Sequence, residues 1–403
     1  MPKQYIINAL DIGSGSIKLL SVSKKPGERD FEVLTQIQEL SLGVRKGVVI
    51  DVSSAAKTIS SLVEKAEQDC GIKIERVYAN IGGSHIYSVF SKGLVSVSRA
   101  DRKISEEDVE RVLQAAKTLP LPSNKEILQT FPKEYIVDGG GGVKEPVGME
   151  GVRLEAETIL LCGFSPYIKN STQTILKSGV QISDLIADSL ASARAVLTPR
   201  EKELGVCVLD IGAGTISMAV FEEGNLIHAA VFPVGSGHIT SDIAICLKTD
   251  IDTAEKIKLE FGTCKNACLK KEKKGEKNIR IDGEEPIVFS KKELTDIIEA
   301  RVSEVFDLVN KELKKISRQG RLPAGIVLTG GGAMLPGIKE LVKKELKLSC
   351  RIGAAQGFSD SQTDPSLSTL YGLILEGVDL EDQISSPKGI KNTLKKMFRV
   401  FIP

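Results

Sequence analysis

The chain has 403 residues, of which 41% are hydrophobic and 27% charged, and its formal net charge is +1. This length predicts two or more domains with sizeable cores, and the composition excludes a disordered or a membrane-embedded chain. The balanced charge argues against a nucleic-acid partner. No stretch approaches the roughly 18 apolar residues of a membrane span, and the N-terminus lacks a signal-peptide pattern, so we expect a cytosolic body.

A strand–turn–strand pattern opens the chain and recurs about half a chain later. Residues 10–17 read LDIGSGSI and residues 209–216 read LDIGAGTI, with six of the eight positions identical. A β-rich run flanks each copy on both sides, which predicts two β-hairpins with glycine in their turns. A chance match between two ordinary hairpins is the alternative, and the recurrence argues against it.

The two turns have the composition of a polyphosphate clamp. Their glycines let backbone N–H groups approach an anion closely, and their hydroxyls add donors. Asp11 and Asp210 at the strand ends are candidate holders of a hydrated Mg2+, which keeps its waters and uses few carboxylates. The P-loop pattern is absent from both segments. The predicted phosphate contacts are Ser14, Gly15, Ser16, Lys18, Gly212, Ala213, Gly214 and Thr215.

A segment of about 80 residues follows the first hairpin. It contains the strand-like run YSVFSKGLVSVS and then a helix, predicted from the acidic first turn after Ser105. Its second part includes the phrases EYIVDG and PVGMEGVRLEAE. The glycine run at 139–142 follows a strand with no helix behind it, so we interpret it as a flexible turn.

Further elements are predicted along the second half of the chain. Residues 184–197 and 365–375 carry small residues that suit closely packed helices. Residues 254–262 form a predicted helix that places Glu255 and Lys258 on one face. Residues 326–342 are predicted to be a strand, a glycine-rich turn and an amphipathic helix.

These motifs, in this order, resemble the actin, Hsp70 and sugar-kinase superfamily. The resemblance implies an α/β, actin-like (ribonuclease-H-like) two-domain ATPase fold whose domains close over ATP and Mg2+, with residues 184–197 and 365–375 as the two connecting helices. A surface ion pair is the alternative for Glu255 and Lys258. The implied adenosine contacts are Glu255, Lys258, Gly330, Gly331, Gly332 and Met334.

Within the superfamily, the segment between the hairpins resembles the inserted 1C subdomain of the FtsA family of bacterial cell-division proteins. That resemblance implies binding of the FtsZ C-terminal peptide, self-association into actin-like filaments through 1C, and recruitment of later division proteins. Arg301 and Glu304 are the implied FtsZ contacts, although a plain amphipathic surface fits them equally. The implied divisions are 1–83 and 164–198 for subdomain 1A, 84–163 for 1C, 199–238 and 311–375 for 2A, 239–310 for 2B, 376–387 for a linker, and 388–403 for an amphipathic helix.

The final segment, 388–403, has five basic residues and no acidic one, and it follows a polar stretch interpreted as a linker. On a helical projection its apolar residues share one arc. This pattern predicts attachment to an anionic membrane surface, with binding to a partner's groove as the alternative. With the resemblance, it places the protein on the cytoplasmic face of the inner membrane at the division septum. The predicted membrane residues are Ile390, Leu394, Lys395, Lys396, Met397, Phe398, Arg399, Phe401 and Ile402.

Two other functions fit parts of the pattern. A sugar- or acetate-kinase-type phosphotransferase would share the hairpins but leave the basic tail without a use. An actin-like scaffold of type IV pilus assembly would share the hairpins and a 1C-like insert. No residue that orients an attacking water is evident, so we expect at most slow ATP hydrolysis.

Overall fold

The computed structural model describes residues 5–24, 31–264, 278–281, 286–355 and 364–385. Most of its strands belong to two mixed sheets. The smaller sheet has the order β11-β6-β1-β2-β3, and β1 is buried along most of its length because neighbours flank it and helices cover it. Its strands are β1 (Tyr5–Ile12), β2 (Ser16–Lys24), β3 (Glu32–Leu40), β6 (Arg76–Ile81) and β11 (Gln181–Ala187).

The larger sheet has nine strands, in the order β18-β17-β12-β13-β14-β7-β10-β8-β9. Two short ribbons, Val44–Arg45 with Val48–Val49 (β4, β5) and Ile279–Ile281 with Ile287–Phe289 (β15, β16), lie outside both sheets. The nine strands are β7 (Tyr87–Ser96), β8 (Lys125–Val137), β9 (Gly140–Val143), β10 (Arg153–Phe164), β12 (Val206–Ile211), β13 (Ile216–Glu222), β14 (Asn225–Phe232), β17 (Gly325–Thr329) and β18 (Cys350–Ile352).

Helices pack on both sheets, and several begin at the caps that their sequence provides. The Asp51 side chain accepts hydrogen bonds from two N–H groups of the first turn of α1. Ser105 and Asp108 form a capping box at the start of α2. The helices are α1 (Val52–Cys70), α2 (Glu106–Ala116), α3 (Ser165–Lys177), α4 (Asp188–Val196), α5 (Pro199–Leu204), α6 (Ser236–Leu247), α7 (Ile251–Phe261), α8 (Lys291–Lys315), α9 (Ile338–Leu346) and α10 (Ser368–Ser385).

The helices α4 and α10 pack against each other between the two sheets. Gly372 touches the backbone of Ala191 so closely that a Cβ added there would lie 1.8 Å from the Ala191 oxygen. Their apolar residues form one cluster with residues of β1 and β12. The helices α4 and α10 therefore join the half of the molecule that contains β1 to the half that contains β12. Among the described residues, no helix is long and apolar enough to cross a membrane.

The two predicted hairpins are present. The first pairs β1 with β2 from Tyr5↔Lys24 to Ile12↔Ile17, and the second pairs β12 with β13 from Val206↔Phe221 to Ile211↔Ile216. The first connecting helix starts later than predicted, because residues 184–187 are the end of β11 and pair with β6 in parallel. The periodicity of DLIA does not separate a buried strand from a buried helix.

The linker prediction for 376–387 is wrong for residues 376–385, which continue α10. Val378 is 5% exposed, and Gly377 lies directly on Ile7 and Tyr78. Two of the acidic residues that suggested a linker face Arg194 of α4: Asp379 accepts a 2.6 Å hydrogen bond from it, and Glu376 lies 3.9 Å from it. The polar composition hid the helical spacing of the apolar positions. The predicted amphipathic helix at 388–403, with all its membrane residues, lies outside the described residues.

Candidate functional site

The two hairpin turns face each other at close range. A Cβ on Gly15 would lie 2.9 Å from the Cβ of Ala213, and a Cβ on Gly214 would lie 2.6 Å from the Ser14 Oγ. Ser14 Oγ also accepts a 2.8 Å hydrogen bond from the backbone N–H of Gly47. Glycine is therefore needed at 15 and 214 because the opposite turn occupies the side-chain space.

A cavity of about 660 Å³ opens between these turns. This is within the size range of small-molecule sites and is large enough for a nucleotide. Both turns line the cavity, together with α7 and the glycine turn after β17. The structure brings every predicted phosphate, adenosine and metal residue into its wall, namely Asp11, Ser14, Gly15, Ser16, Lys18, Asp210, Gly212, Ala213, Gly214, Thr215, Glu255, Lys258, Gly330, Gly331, Gly332 and Met334.

Three aspartates lie at the floor of the cavity, each at the carboxyl end of a strand. Asn80 connects two of them, since its Nδ2 donates to Asp11 Oδ1 and to Asp188 Oδ1, both at 2.8 Å. Asp210 accepts a 2.9 Å hydrogen bond from the Thr369 hydroxyl. The sequence had indicated Asp11 and Asp210. Asp188 was missed because the preceding strand was interpreted as part of the same helix.

Burial and mutual repulsion raise the pKa values of these aspartates. Burial is the main cause of the raised pKa of Asp11, and the nearby Lys18 opposes it. Burial, with the charges of Asp11 and Asp210, raises the pKa of Asp188 to about 8. Burial raises the pKa of Asp210 to about 6, and its hydrogen bond from Thr369 lowers it in part. The three buried carboxyls therefore resist ionising together.

Lys18 is the cation of the floor. Its Nζ lies 3.6 Å from Asp11 Oδ2 and donates a 2.6 Å hydrogen bond to the backbone oxygen of Ser366, just before α10. The side chain is 14% exposed. Lys18 thus ties the first turn to the α10 end of the cavity and presents positive charge beside the space between the turns.

The carboxylates fit a hydrated Mg2+. Oxygen ligands are what this ion prefers, and it keeps most of its waters. Within the described ranges, no group of three acidic, histidine or cysteine side chains is placed to ligate one metal ion. Asp11 and Asp210 are the carboxylates that could hold such an ion through its waters, and its charge would offset their raised pKa values.

The predicted adenosine residues Glu255, Lys258 and Met334 line a further part of the cavity, while Gly330 lies directly against Asp210 of the floor. Lys258 Nζ lies 2.7 Å from Glu255 Oε2 and donates a 2.9 Å hydrogen bond to the Thr240 hydroxyl. The Lys258 side chain is only 10% exposed and that of Glu255 is 41% exposed, and both residues line the cavity. Leu259 and Met334 lie at the opening with much of their apolar surface exposed. This part of the cavity offers an apolar surface beside charged hydrogen-bonding groups.

Arg301 and Glu304 lie on α8, away from the cavity. The Arg301 guanidinium binds Asp242 of α6 in a bidentate manner, at 2.6 Å from Nε and 2.8 Å from Nη2. Its Nη1 donates to Glu304 Oε2 at 2.6 Å. The partner Asp242 was not evident from the sequence. Because Asp242 fixes the guanidinium, Glu304, with 63% of its side chain exposed, is the more accessible of the two predicted contacts.

Replacing Asp188 with asparagine should stabilise the nucleotide-free protein above about pH 4. In the unfolded chain Asp188 loses its proton near the ordinary aspartate pKa of 3.8, whereas in the fold its pKa is about 8. The folded state then binds more protons between these values, so this residue costs stability increasingly as pH rises from about 4 to about 8. We expect the gain from Asp188→Asn, measured by urea unfolding, to grow from pH 5 to pH 8. An equal gain at both pH values would contradict this.

Comparisons with known proteins match this architecture. The PilM–PilN type IV pilus biogenesis complex superposes with a TM-score of 0.66 at 17% identity, covering 92% of this chain and 98% of that one. MreB5 of Spiroplasma citri bound to ADP superposes with a TM-score of 0.57 at 14% identity, covering 94% and 98%. At these identities the likeness concerns the fold alone. The fold and the two-turn cavity define an actin-like protein.

Comparison with sequence relatives identifies a family within this class of actin-like proteins. A family model described as "Cell division protein FtsA" matches residues 207–372, and one described as "SHS2 domain inserted in FTSA" matches residues 83–162. Cell division protein FtsA of Pseudomonas aeruginosa is 36% identical over 377 residues, covering 93% of this chain and 89% of its own. The Bacillus subtilis relative is 32% identical over 369 residues, covering 91% and 82%. The chain belongs to the FtsA family.

Proposed function

We propose that the chain binds ATP with Mg2+ in the cavity between the two hairpin turns. The main support for this proposal is that two copies of one glycine turn face each other across a nucleotide-sized cavity. Backbone N–H groups and hydroxyls of the turns contact the phosphates. Lys18 adds positive charge, and Asp11 and Asp210 hold the cation through water. MreB5, which shares the fold, has been solved with ADP and with AMPPNP.

The adenosine lies at the end formed by Glu255, Lys258 and the glycine turn 330–332. The backbone of that turn packs against the second hairpin, since a Cβ on Gly332 would lie 2.3 Å from Ile211 Cγ2. The turn is therefore held at a fixed distance from the phosphates. Met334 closes the cavity beside the base.

Hydrolysis in this cavity is at most slow. An ATPase needs a group that orients the attacking water. Asp188 is the further lining carboxylate at the phosphate end, and with a pKa near 8 it is largely protonated at neutral pH. A protonated carboxyl accepts a proton poorly, so the cavity suits nucleotide-dependent assembly more than rapid turnover.

The cell-division role follows from family membership together with the terminal segment. The protein anchors the FtsZ ring to the inner membrane at the septum, by binding the FtsZ C-terminal peptide near Arg301 and Glu304 and the anionic lipid surface through residues 388–403. It self-associates into actin-like filaments on the membrane and recruits later division proteins through 1C. We retain the subdomain limits given above, except that residues 376–385 join the helix α10.

Two alternatives have less support. The pilus-assembly reading rests on a fold likeness at 17% identity, whereas division proteins match at twice that identity. The phosphotransferase reading gives no use to the basic tail.

Capture by a peptide of the FtsZ C-terminus tests the partner. We expect the full chain to bind the immobilised peptide, and Arg301→Ala to reduce the affinity about tenfold or more, as loss of a charge-assisted contact does. The matched control is Arg318→Ala, which removes another arginine that donates two hydrogen bonds to a carboxylate, here to one oxygen of Glu222. Equal binding by the parent chain and Arg301→Ala would exclude Arg301 as a contact, and no binding by the parent chain would exclude the partner.

A further inference from the structure

The inserted subdomain, residues 83–162, is joined to the second half of the chain at a narrow contact. Its strands belong to the same nine-stranded sheet as β12–β14. However, the junction between β14 and β7 consists of one residue pair, Ala230↔Tyr87. Backbone pairing therefore contributes little to the junction, and side chains carry most of the attachment.

A hydrogen-bonded relay of three side chains crosses this junction. Ser88 Oγ of β7 accepts a 2.9 Å hydrogen bond from the Ala229 N–H, and its hydroxyl lies 3.0 Å from His228 Nδ1. His228 Nε2 lies 3.1 Å from Glu312 Oε1 of α8. We name Ser88, His228 and Glu312 the latch. It connects one residue of the inserted subdomain to a strand and a helix of the second half.

The polarity of the latch is fixed by its own contacts. Because Ser88 Oγ accepts the Ala229 N–H, its hydroxyl hydrogen is available to His228 Nδ1. The proton of the neutral ring then lies on Nε2 and faces the Glu312 carboxylate. Burial lowers the pKa of His228, against the opposing charge of Glu312, so the ring is neutral at physiological pH. Every polar atom of the latch is satisfied in this arrangement.

The inserted subdomain also holds the far end of the same hairpin. Asn225 Nδ2 donates a 3.1 Å hydrogen bond to the backbone oxygen of Lys133. Lys144 Nζ donates a 3.2 Å hydrogen bond to the backbone oxygen of Glu223. The β13–β14 hairpin is thus attached to the inserted subdomain near both ends of β14.

That hairpin begins at the second phosphate turn. β13 starts at Ile216, directly after Thr215, and pairs with β14 along its length. After β14, Ser236 N–H donates a 2.8 Å hydrogen bond to the backbone oxygen of Gly212 in the same turn. Two paired strands therefore connect the turn to the latch.

We propose that the latch makes the inserted subdomain move with the second phosphate turn, so that the nucleotide in the cavity sets the orientation of that subdomain. This inference rests on the proposed nucleotide binding and adds its regulatory consequence. Without the latch, the inserted subdomain would still be held by its covalent links to β6 and α3, by the two hydrogen bonds near Asn225 and by an apolar cluster that includes Ile86 and Ala229. Its orientation would then follow the second phosphate turn less closely.

Spin-label distances test the proposal in the full chain. Labels at Glu107→Cys in α2 and Lys343→Cys in α9, with Cys70, Cys246 and Cys268 replaced by serine, report the subdomain relative to the second half. We expect a narrow distance distribution that shifts when ATP is added. In Ser88→Ala the distribution should broaden and lose its shift, and hydrogen exchange of amides 228–231 should become about tenfold faster.

Matched variants separate the latch from general damage. Ser96→Ala removes an exposed serine of the same strand and should behave like the parent chain. Glu312→Gln keeps an acceptor for His228 and should retain the shift, whereas Glu312→Leu should lose it. An unaltered shift in both Ser88→Ala and Glu312→Leu overturns the proposal, and so does a parent chain that binds ATP without a shift. Fluorescent ATP binding is measured in parallel, so that a failure of nucleotide binding itself is recognised as such.

Discussion

Replacing Gly214 with leucine is expected to abolish ATP binding. A Cβ at this position would lie 2.6 Å from Ser14 Oγ and 2.8 Å from Ser14 Cβ, so the turns would have to separate. Separation removes the backbone donors of one turn from the phosphates. We expect the affinity for a fluorescent ATP analogue to fall at least about a hundredfold, equivalent to roughly 3 kcal/mol.

The matched control is Gly141→Leu in the exposed β9 strand. A Cβ at Gly141 would have only ordinary contacts, at 3.8 Å from Glu134 and Ile136. Its ATP affinity should equal that of the parent chain. Circular dichroism and urea unfolding of Gly214→Leu establish that the variant is folded. Tight ATP binding by folded Gly214→Leu would refute the clamp of two facing turns.

Removal of residues 388–403 is expected to abolish sedimentation with anionic liposomes while ATP binding stays intact. Each of the five basic residues contributes about 1 kcal/mol near an anionic surface, and apolar residues add burial in the headgroup region. Losing all of them removes the whole predicted attachment. The cavity residues lie elsewhere in the chain, so nucleotide affinity should not change.

Two further variants separate the apolar from the electrostatic contribution to membrane binding. Phe398→Ser with Phe401→Ser keeps every charge and should lose most of the binding to neutral and anionic vesicles alike. Lys395→Gln with Lys396→Gln keeps the apolar arc, and should lose binding mainly at low salt, where charge attraction is strongest. Unchanged sedimentation of the shortened chain would exclude the membrane role of this segment.

Local and repeated features of the site were predictable from the sequence. The two hairpins carry their own turn residues, and the recurrence of LDIG identified them as a pair. The order of these motifs along the chain predicted the actin-like fold. The two hairpins are confirmed, and their turns face each other across the cavity. Glycine indicated close approach at 15 and 214 before any partner was known, because only a residue without a side chain permits it.

Features that depend on distant parts of the chain could not be predicted in this way. Asp188 faces Asp11 only because β11 pairs with β6 in parallel, which a local pattern does not encode. The partner of Arg301 lies 59 residues away, in Asp242. The acidic residues of α10 suggested a linker. Their ion pairs with Arg194 could not be predicted, because these pairs form only when α4 packs beside α10. Likewise, no sequence signal indicated the junction of β7 with β14.

The packing of α10 on β1 has a consequence for the order in which the molecule is completed. The first described strand, Tyr5–Ile12, is covered by residues of the last described helix, with Gly377 against Ile7. The hydrogen bond from Lys18 to the backbone oxygen of Ser366 likewise cannot form until the segment just before α10 has been synthesised. We expect the sheet that contains β1 to be completed only after the ribosome has released α10. A nascent chain interrupted before α10 would then have neither a closed first half nor the segment proposed to reach the membrane.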